Sequence, residues 1–228
     1  MKMKESALIV VDPQRGFMPL QEGLRLGVGG FGELPIDGGE EIVPNVNRLL
    51  GEYAIRGCFT AITQDWHPTE TAHFSDNPDY RETWPVHCVA DTDGAKLHPN
   101  IVVPTTTENF KKGMEALKPG EVDLSYSGIY AVNVLGQTLG ERLKLLRNQG
   151  LKHITVAGNA IDVCAGSTAL HCVTEIAQND PDFRVSFAID AGRSVSDETL
   201  RPMLEKFDEL NIQFVPTYHI LNDLERED

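Results

Sequence analysis

His153-Ile154-Thr155-Val156-Ala157 runs directly into Gly158-Asn159-Ala160-Ile161-Asp162-Val163-Cys164-Ala165-Gly166-Ser167-Thr168-Ala169. The first five residues are apolar and β-branched, as in a buried strand. Beyond the turn, Ala165, Ala169, Leu170, Val173, Ile176 and Ala177 recur at helical spacing. The stretch reads as strand, tight turn, helix. Cys164 falls where the turn becomes the helix. There the first backbone N–H groups lack intrahelical partners and the helix dipole is positive, which favours a thiolate. Free cysteine is also a common small buried apolar residue. Reactivity needs an electropositive neighbourhood as well as a turn, so this stretch alone leaves both readings open.

The same grammar repeats on either side. Residues 6–11 are continuously apolar, typical of a strand buried on both faces, and stop at Asp12-Pro13-Gln14-Arg15-Gly16-Phe17. Asp12 at that exit is either a chemical group or a turn and cap residue. Residues 18–40 are rich in glycine but carry no G-x-G-x-x-G between strand and helix, which excludes a dinucleotide fingerprint and predicts a mobile covering loop. Pro44 opens a helix whose apolar face is Val46, Leu49, Leu50, Tyr53 and Ala54, closed at Gly57. A second strand is predicted at 58–63 and a third at 101–103. A helix is predicted from about 135 to 148, a strand at 184–189, a helix at roughly 196–210 and a last strand at 212–215. Pro202 conflicts with an early start for the 196–210 helix.

Strands alternating with helices mean a parallel sheet with helices on both faces: an α/β, three-layer architecture. In such sheets ligands bind beyond the carboxyl ends of the strands. Asp12, Asp65 with His67, and Cys164 each lie just past a predicted strand, so the topology brings them to one end. Residues 65–100 show no period and carry Asp65, His67, His73, His87 and His98 in a chain with seven histidines. A loop that long inside a compact domain is either functional or hides an element.

The whole chain, 1–228, reads as one domain, with 41% hydrophobic and 24% charged residues and a formal net charge of −14. Unclustered basic residues argue against nucleic acid and anionic membrane as partners. The apolar run at 7–11 follows a basic start but is too short for a secretion signal. Four cysteines without a close-spaced pair fit free thiols in a reducing cytoplasm.

Asp65 and His67 are two apart in extended chain and point the same way. With His87 they would supply one carboxylate and two imidazoles, leaving positions open for water or substrate on zinc, iron or manganese. They are otherwise ordinary loop residues. Cys164 would need a base, which Asp12 can be, and a cation, which Lys112 can be. Lys111 and Lys112 are both residues of a kind that is more often a solvated surface charge. The same donor set describes the facial triad of non-haem iron oxygenases, which have no use for Cys164. A non-catalytic metal-binding protein is a third reading.

Taken together, Val11-Asp12-Pro13-Gln14-Arg15-Gly16-Phe17, the segment leading to Ile42-Val43-Pro44-Asn45-Val46-Asn47, Gln64-Asp65-Trp66-His67-Pro68, His73-Phe74-Ser75, Trp84-Pro85-Val86-His87-Cys88-Val89, Lys112-Gly113 and Gly158–Cys164 occur in an order that resembles the nicotinamidase family of the isochorismatase-like cysteine hydrolases. The likeness covers most of the chain. It implies a six-stranded, mostly parallel sheet and a homo-oligomer. It implies a Cys164–Asp12–Lys112 triad and one divalent metal, zinc foremost, on Asp65, His67 and His87, with His73 a further ligand in some relatives. It also implies a cis peptide before Ala160, an oxyanion hole at the N–H groups of Ala160 and Cys164, and a ring pocket of Phe17, Trp84 and Tyr126. The activity implied is hydrolysis of nicotinamide to nicotinate and ammonia in NAD salvage. Another small amide or carbamoyl substrate is the neighbouring alternative. Two features depart from the family pattern: Arg15-Gly16 before Phe17, and a longer spacer, Met114 to Pro119, ahead of Tyr126-Ser127.

Overall fold

The computed structural model describes residues 4–118, 123–178 and 180–226. The end of the expected spacer, at Pro119, lies outside the described residues. Six strands form one sheet in the order β3-β2-β1-β4-β5-β6: β1 Ser6–Val11, β2 Phe59–Asp65, β3 Glu108–Lys112, β4 His153–Gly158, β5 Arg184–Ala188 and β6 Gln213–Val215. Every pairing between these strands is parallel, which sharpens the expected mostly parallel sheet.

The central strands are apolar throughout because both faces are covered. Ala7, Ile9 and Val11 of β1 pack toward helices α3 (Leu139–Asn148), α4 (Cys164–His171) and α5 (Asp197–Glu209). Leu8 and Val10 face the other way, onto α2 (Val43–Ile55) and α6 (Thr217–Arg226). Among the described residues no helix is long and apolar enough to cross a membrane.

Several boundaries differ from expectation. Residues 101–103 are not a strand: Ile101 is buried, but Val102 and Val103 face solvent. The third strand is Glu108–Lys112 at the sheet edge. The 18–40 segment, expected as a mobile covering loop, holds helix α1 (Leu20–Leu26) and buries Phe31, Leu34 and Ile36. Helix α3 begins four residues late. Gly136 takes a positive φ, and a capping box at Thr138 and Glu141 satisfies orphan N–H groups at the helix start, leaving Val134 and Leu135 exposed on the turn. Pro202 lies inside α5, which starts at Asp197 regardless, with the Ser196 hydroxyl accepting from Thr199 N at its head. Helix α6 follows the last strand and carries Ile220 and Leu224 into the core four residues apart.

β1 sits between β2 and β4, the two strands reached by opposite crossovers, so the crevice past its carboxyl end is the topological switch point. Register then fixes neighbours: Val11 lies opposite Thr63 and Gly158, and Asp65 opposite Lys112.

Candidate active site

Three chain segments deliver charged groups to that crevice. Asp12 leaves β1 with φ +49, its N–H bonded to Thr63 O at 3.1 Å and its Oδ1 accepting from the Thr63 hydroxyl at 2.7 Å. Asp65 ends β2, and Lys112 ends the neighbouring β3. Lys112 Nζ lies 2.8 Å from Asp12 Oδ2, donates to Asp65 Oδ1, and donates to Cys164 Sγ at 3.3 Å. All four residues are buried. The lysine pairing that sequence left between two candidates is resolved by geometry: Lys111 lies over the Trp66 ring, 3.2 Å from its centroid.

One cation facing two buried carboxylates splits their titration. Burial, reinforced by Asp65 and opposed by Lys112, pushes Asp12 up to about 6. Burial also works against the Asp65 anion, but Lys112 and His67 outweigh it and hold that carboxyl well below the usual range. Lys112 is raised well above the ordinary lysine value, since Asp12, Asp65 and Cys164 together overcome its own burial. Cys164 departs from the sequence expectation of a favoured thiolate. Burial pushes its thiol well above the usual value; Lys112 opposes this, while Asp65 and Asp12 reinforce it. The resting sulfur is therefore a thiol with a cation and a carboxylate at hand.

The turn before Cys164 shapes the rest. The Asn159–Ala160 peptide is cis. Ala160 O takes the N–H groups of Val163, Ala165 and Gly166, whereas no hydrogen bond among the described residues uses the N–H of Ala160 or of Cys164. α4 has no side-chain cap, so its positive end is open at the sulfur.

A second cluster adjoins the first. His67, His73 and His87 place ring nitrogens within 4.8 Å of one another. Each Nδ1 points outward: His67 to Gly113 O at 3.1 Å, His87 to Pro85 O at 2.7 Å and His73 to Asp123 Oδ2 at 2.8 Å. Those partners only accept, so each Nδ1 carries the proton and each Nε2 is a free lone pair. His67 Nε2 is buried with no hydrogen-bond partner. Asp65 Oδ2 stands 3.7 Å from His67 Nε2 and 4.0 Å from His87 Nε2. Burial, helped by the neighbouring rings and opposed by Asp65, lowers His87 to about 3, which keeps it a neutral donor. An orphaned buried imidazole nitrogen, with two further imidazoles and a carboxylate beside it, fits a divalent cation.

Phe17, Leu34, Ile36, Trp84, Tyr126, Ala160 and Val195 wall the cavity between the two clusters. The Trp84 indole N–H donates to the Tyr126 hydroxyl at 2.9 Å. Lys112 and Cys164 of the expected triad, the ring-pocket residues and the expected metal ligands all line one cavity, with His73 added; Asp12 does not line it and reaches it through Lys112, 2.8 Å away. His98 alone leaves the group expected from 65–100: it lies 3.3 Å from Glu22 and edge-on to Phe31.

Sequence reasoning passed over Thr63, Asp123 and the role of Gln14. The Gln14 carboxamide donates to Asp65 O at 2.8 Å and accepts from Asp65 N at 2.7 Å, fixing the backbone of the residue shared by both clusters. The signal for Gln14 lay in its motif; Thr63 needed the β1–β2 register.

A parallel-sheet crevice holding a buried thiol, acid and lysine defines the class, and residues 6–125 match the isochorismatase domain. The chain belongs to the isochorismatase family. It is 32% identical over 209 residues to the nicotinamidase/pyrazinamidase of Mycobacterium tuberculosis, covering 92% of this chain and 97% of that protein. It is 30% identical over 188 residues to the nicotinamidase of Acinetobacter baylyi, covering 75% and 77%. The pyrazinamidase of Pyrococcus horikoshii, solved in complex with zinc, superposes with a TM-score of 0.67 at 30% identity, over 93% of this chain and 99% of that one.

Proposed function

We propose that the chain is a nicotinamidase that hydrolyses nicotinamide to nicotinate and ammonia through a thioester on Cys164, serving NAD salvage. The observation that carries this reading is Lys112 Nζ held between Asp12 and Cys164, at 2.8 and 3.3 Å, on the floor of an aromatic-walled cavity. The nicotinamidase and pyrazinamidase relatives support the substrate class.

In this mechanism Asp12 accepts the thiol proton as sulfur attacks the carboxamide carbon. Lys112 offsets the negative charge that forms on sulfur. The N–H groups of Ala160 and Cys164 receive the oxyanion; one such donor contributes on the order of 3 kcal/mol to the barrier. Asp12 returns its proton to the departing ammonia. Water then adds to the thioester with Asp12 as base, releasing nicotinate and the thiol. Phe17, Trp84 and Tyr126 pack the ring and exclude water. His67, His73, His87 and Asp65 Oδ2 would hold a divalent metal, zinc foremost, with iron and manganese compatible with the same donors. When bound, it supplies a Lewis-acidic anchor for the pyridine nitrogen. The four cysteines, all buried and none in a disulfide, support a reducing cytoplasm. The homo-oligomer expectation rests on the family resemblance.

The test is Cys164→Ala with metal content measured on the same sample. Ammonia release from nicotinamide vanishes and the metal stays; persistent turnover defeats the covalent scheme. An oxygenase reading predicts dependence on dioxygen, so unchanged activity under anaerobic conditions separates the two.

A further inference from the structure

We propose that Asp123 is a positioning residue that makes His73 a full metal donor, turning a site of two imidazoles and a carboxylate into one of three imidazoles and a carboxylate. The inference rests on the metal reading above.

His73 sits in a turn outside the named strands and helices, beside an isolated bridge between Phe74 and Trp84. Its Nδ1 donates to Asp123 Oδ2 at 2.8 Å, and the other carboxylate oxygen accepts from Ser125 N at 2.8 Å. The carboxylate is thus held at both oxygens by its own turn and by the imidazole. Asp123 is mostly covered, with 14% of its side chain exposed, and His73 is buried. The His73 ring stacks on His67, with centroids 4.7 Å apart and 28° between planes, and its backbone carbonyl takes the Trp84 N–H at 2.9 Å. With its Nδ1 engaged by Asp123, its other ring nitrogen belongs to the group of three that lie within 4.8 Å of one another.

The three outward partners differ in kind. His67 and His87 donate to neutral carbonyls, and His73 donates to an anion. An imidazole bonded to a carboxylate is more basic at its other nitrogen and locked in one tautomer. Removing such a partner typically costs 10- to 100-fold in metal affinity. Asp123 lies 50 residues along the chain from His73, on the far side of the third strand, so this donor joins two segments that otherwise flank the site separately.

The experiment is zinc affinity measured by competition with a chromophoric chelator, on the full chain, for wild type, D123A, D123N, H73A and D123A/H73A, with folding checked by circular dichroism. Expected is a loss of roughly 10- to 100-fold in D123A and a smaller loss in D123N, which keeps an accepting oxygen. H73A should lose at least as much, and D123A should add nothing to it. With cobalt in place of zinc, the visible absorption of D123A should shift toward that of H73A. Wild-type affinity in D123A and D123N, or an equal loss with and without His73, overturns the proposal while leaving the metal reading standing. A wild-type chain that takes up no zinc overturns both.

Discussion

The ammonium of Lys112 lies 3.3 Å from the sulfur of Cys164, across 52 residues of sequence. Two unrelated local events produce the contact: an edge strand ending at Lys112 and a helix beginning at Cys164. The same nitrogen holds Asp12 and Asp65, so it is the counter-ion for two buried anions.

Lys112→Met therefore leaves both carboxylates without their cation. Removing one partner of a buried ion pair costs about 3–5 kcal/mol, and the lost charge beside sulfur should lower kcat at least about 100-fold. Urea unfolding and ammonia release measure the two effects separately. Near-normal stability would show that Asp12 and Asp65 do not depend on Lys112.

Asp12→Asn keeps the shape and an acceptor for the Thr63 hydroxyl but cannot take a proton. Loss of a positioned general base should reduce kcat by about 10²- to 10⁴-fold. Substrate-analogue binding should change little, since the ring walls and the histidines are untouched. An active Asp12→Asn would move the base elsewhere.

His67→Ala removes the donor whose Nε2 is buried without a partner. Metal content by elemental analysis should fall and KM for nicotinamide should rise. Retention of full metal content would contradict the donor set.

Stability should also depend on pH at a position remote from the site. His153 donates or accepts at Ser186 Oγ, 2.8 Å away, and burial, aided by Arg184, lowers it from 6.5 to about 4. The folded chain keeps it neutral while the unfolded chain protonates it. Its contribution is complete above pH 6.5 and is lost progressively as pH falls toward 4, by about 3 kcal/mol in all. His153→Gln should flatten that part of the urea midpoint against pH; an unchanged slope would assign the acid limb to other groups.

Much of the architecture was legible because the central strands are apolar runs that end abruptly in Asp12, Asp65 and Gly158. The edge strand was not. Glu108-Asn109-Phe110-Lys111-Lys112 reads as polar, and its buried lysine is tolerated only because two carboxylates neutralise it. The more apolar Ile101-Val102-Val103 drew the assignment instead, although two of its three side chains face solvent. Lys112 was therefore chosen from the family pattern, while the Asp65–Lys112 register that justifies it needed the fold. Asp65 and His67 were paired by their spacing, and His87 joined them only as one distant histidine that the family resemblance favoured. His73 stayed open because the carboxylate that orients it lies 50 residues away.

The most direct test of the account is acid-quenched turnover of nicotinamide followed by mass analysis of the Cys164 peptide. A nicotinoyl group should appear on Cys164 during steady-state turnover and disappear when substrate is exhausted. Continuous ammonia release with that peptide unmodified throughout, and with Cys164→Ala still active, would contradict a nucleophilic role for this sulfur.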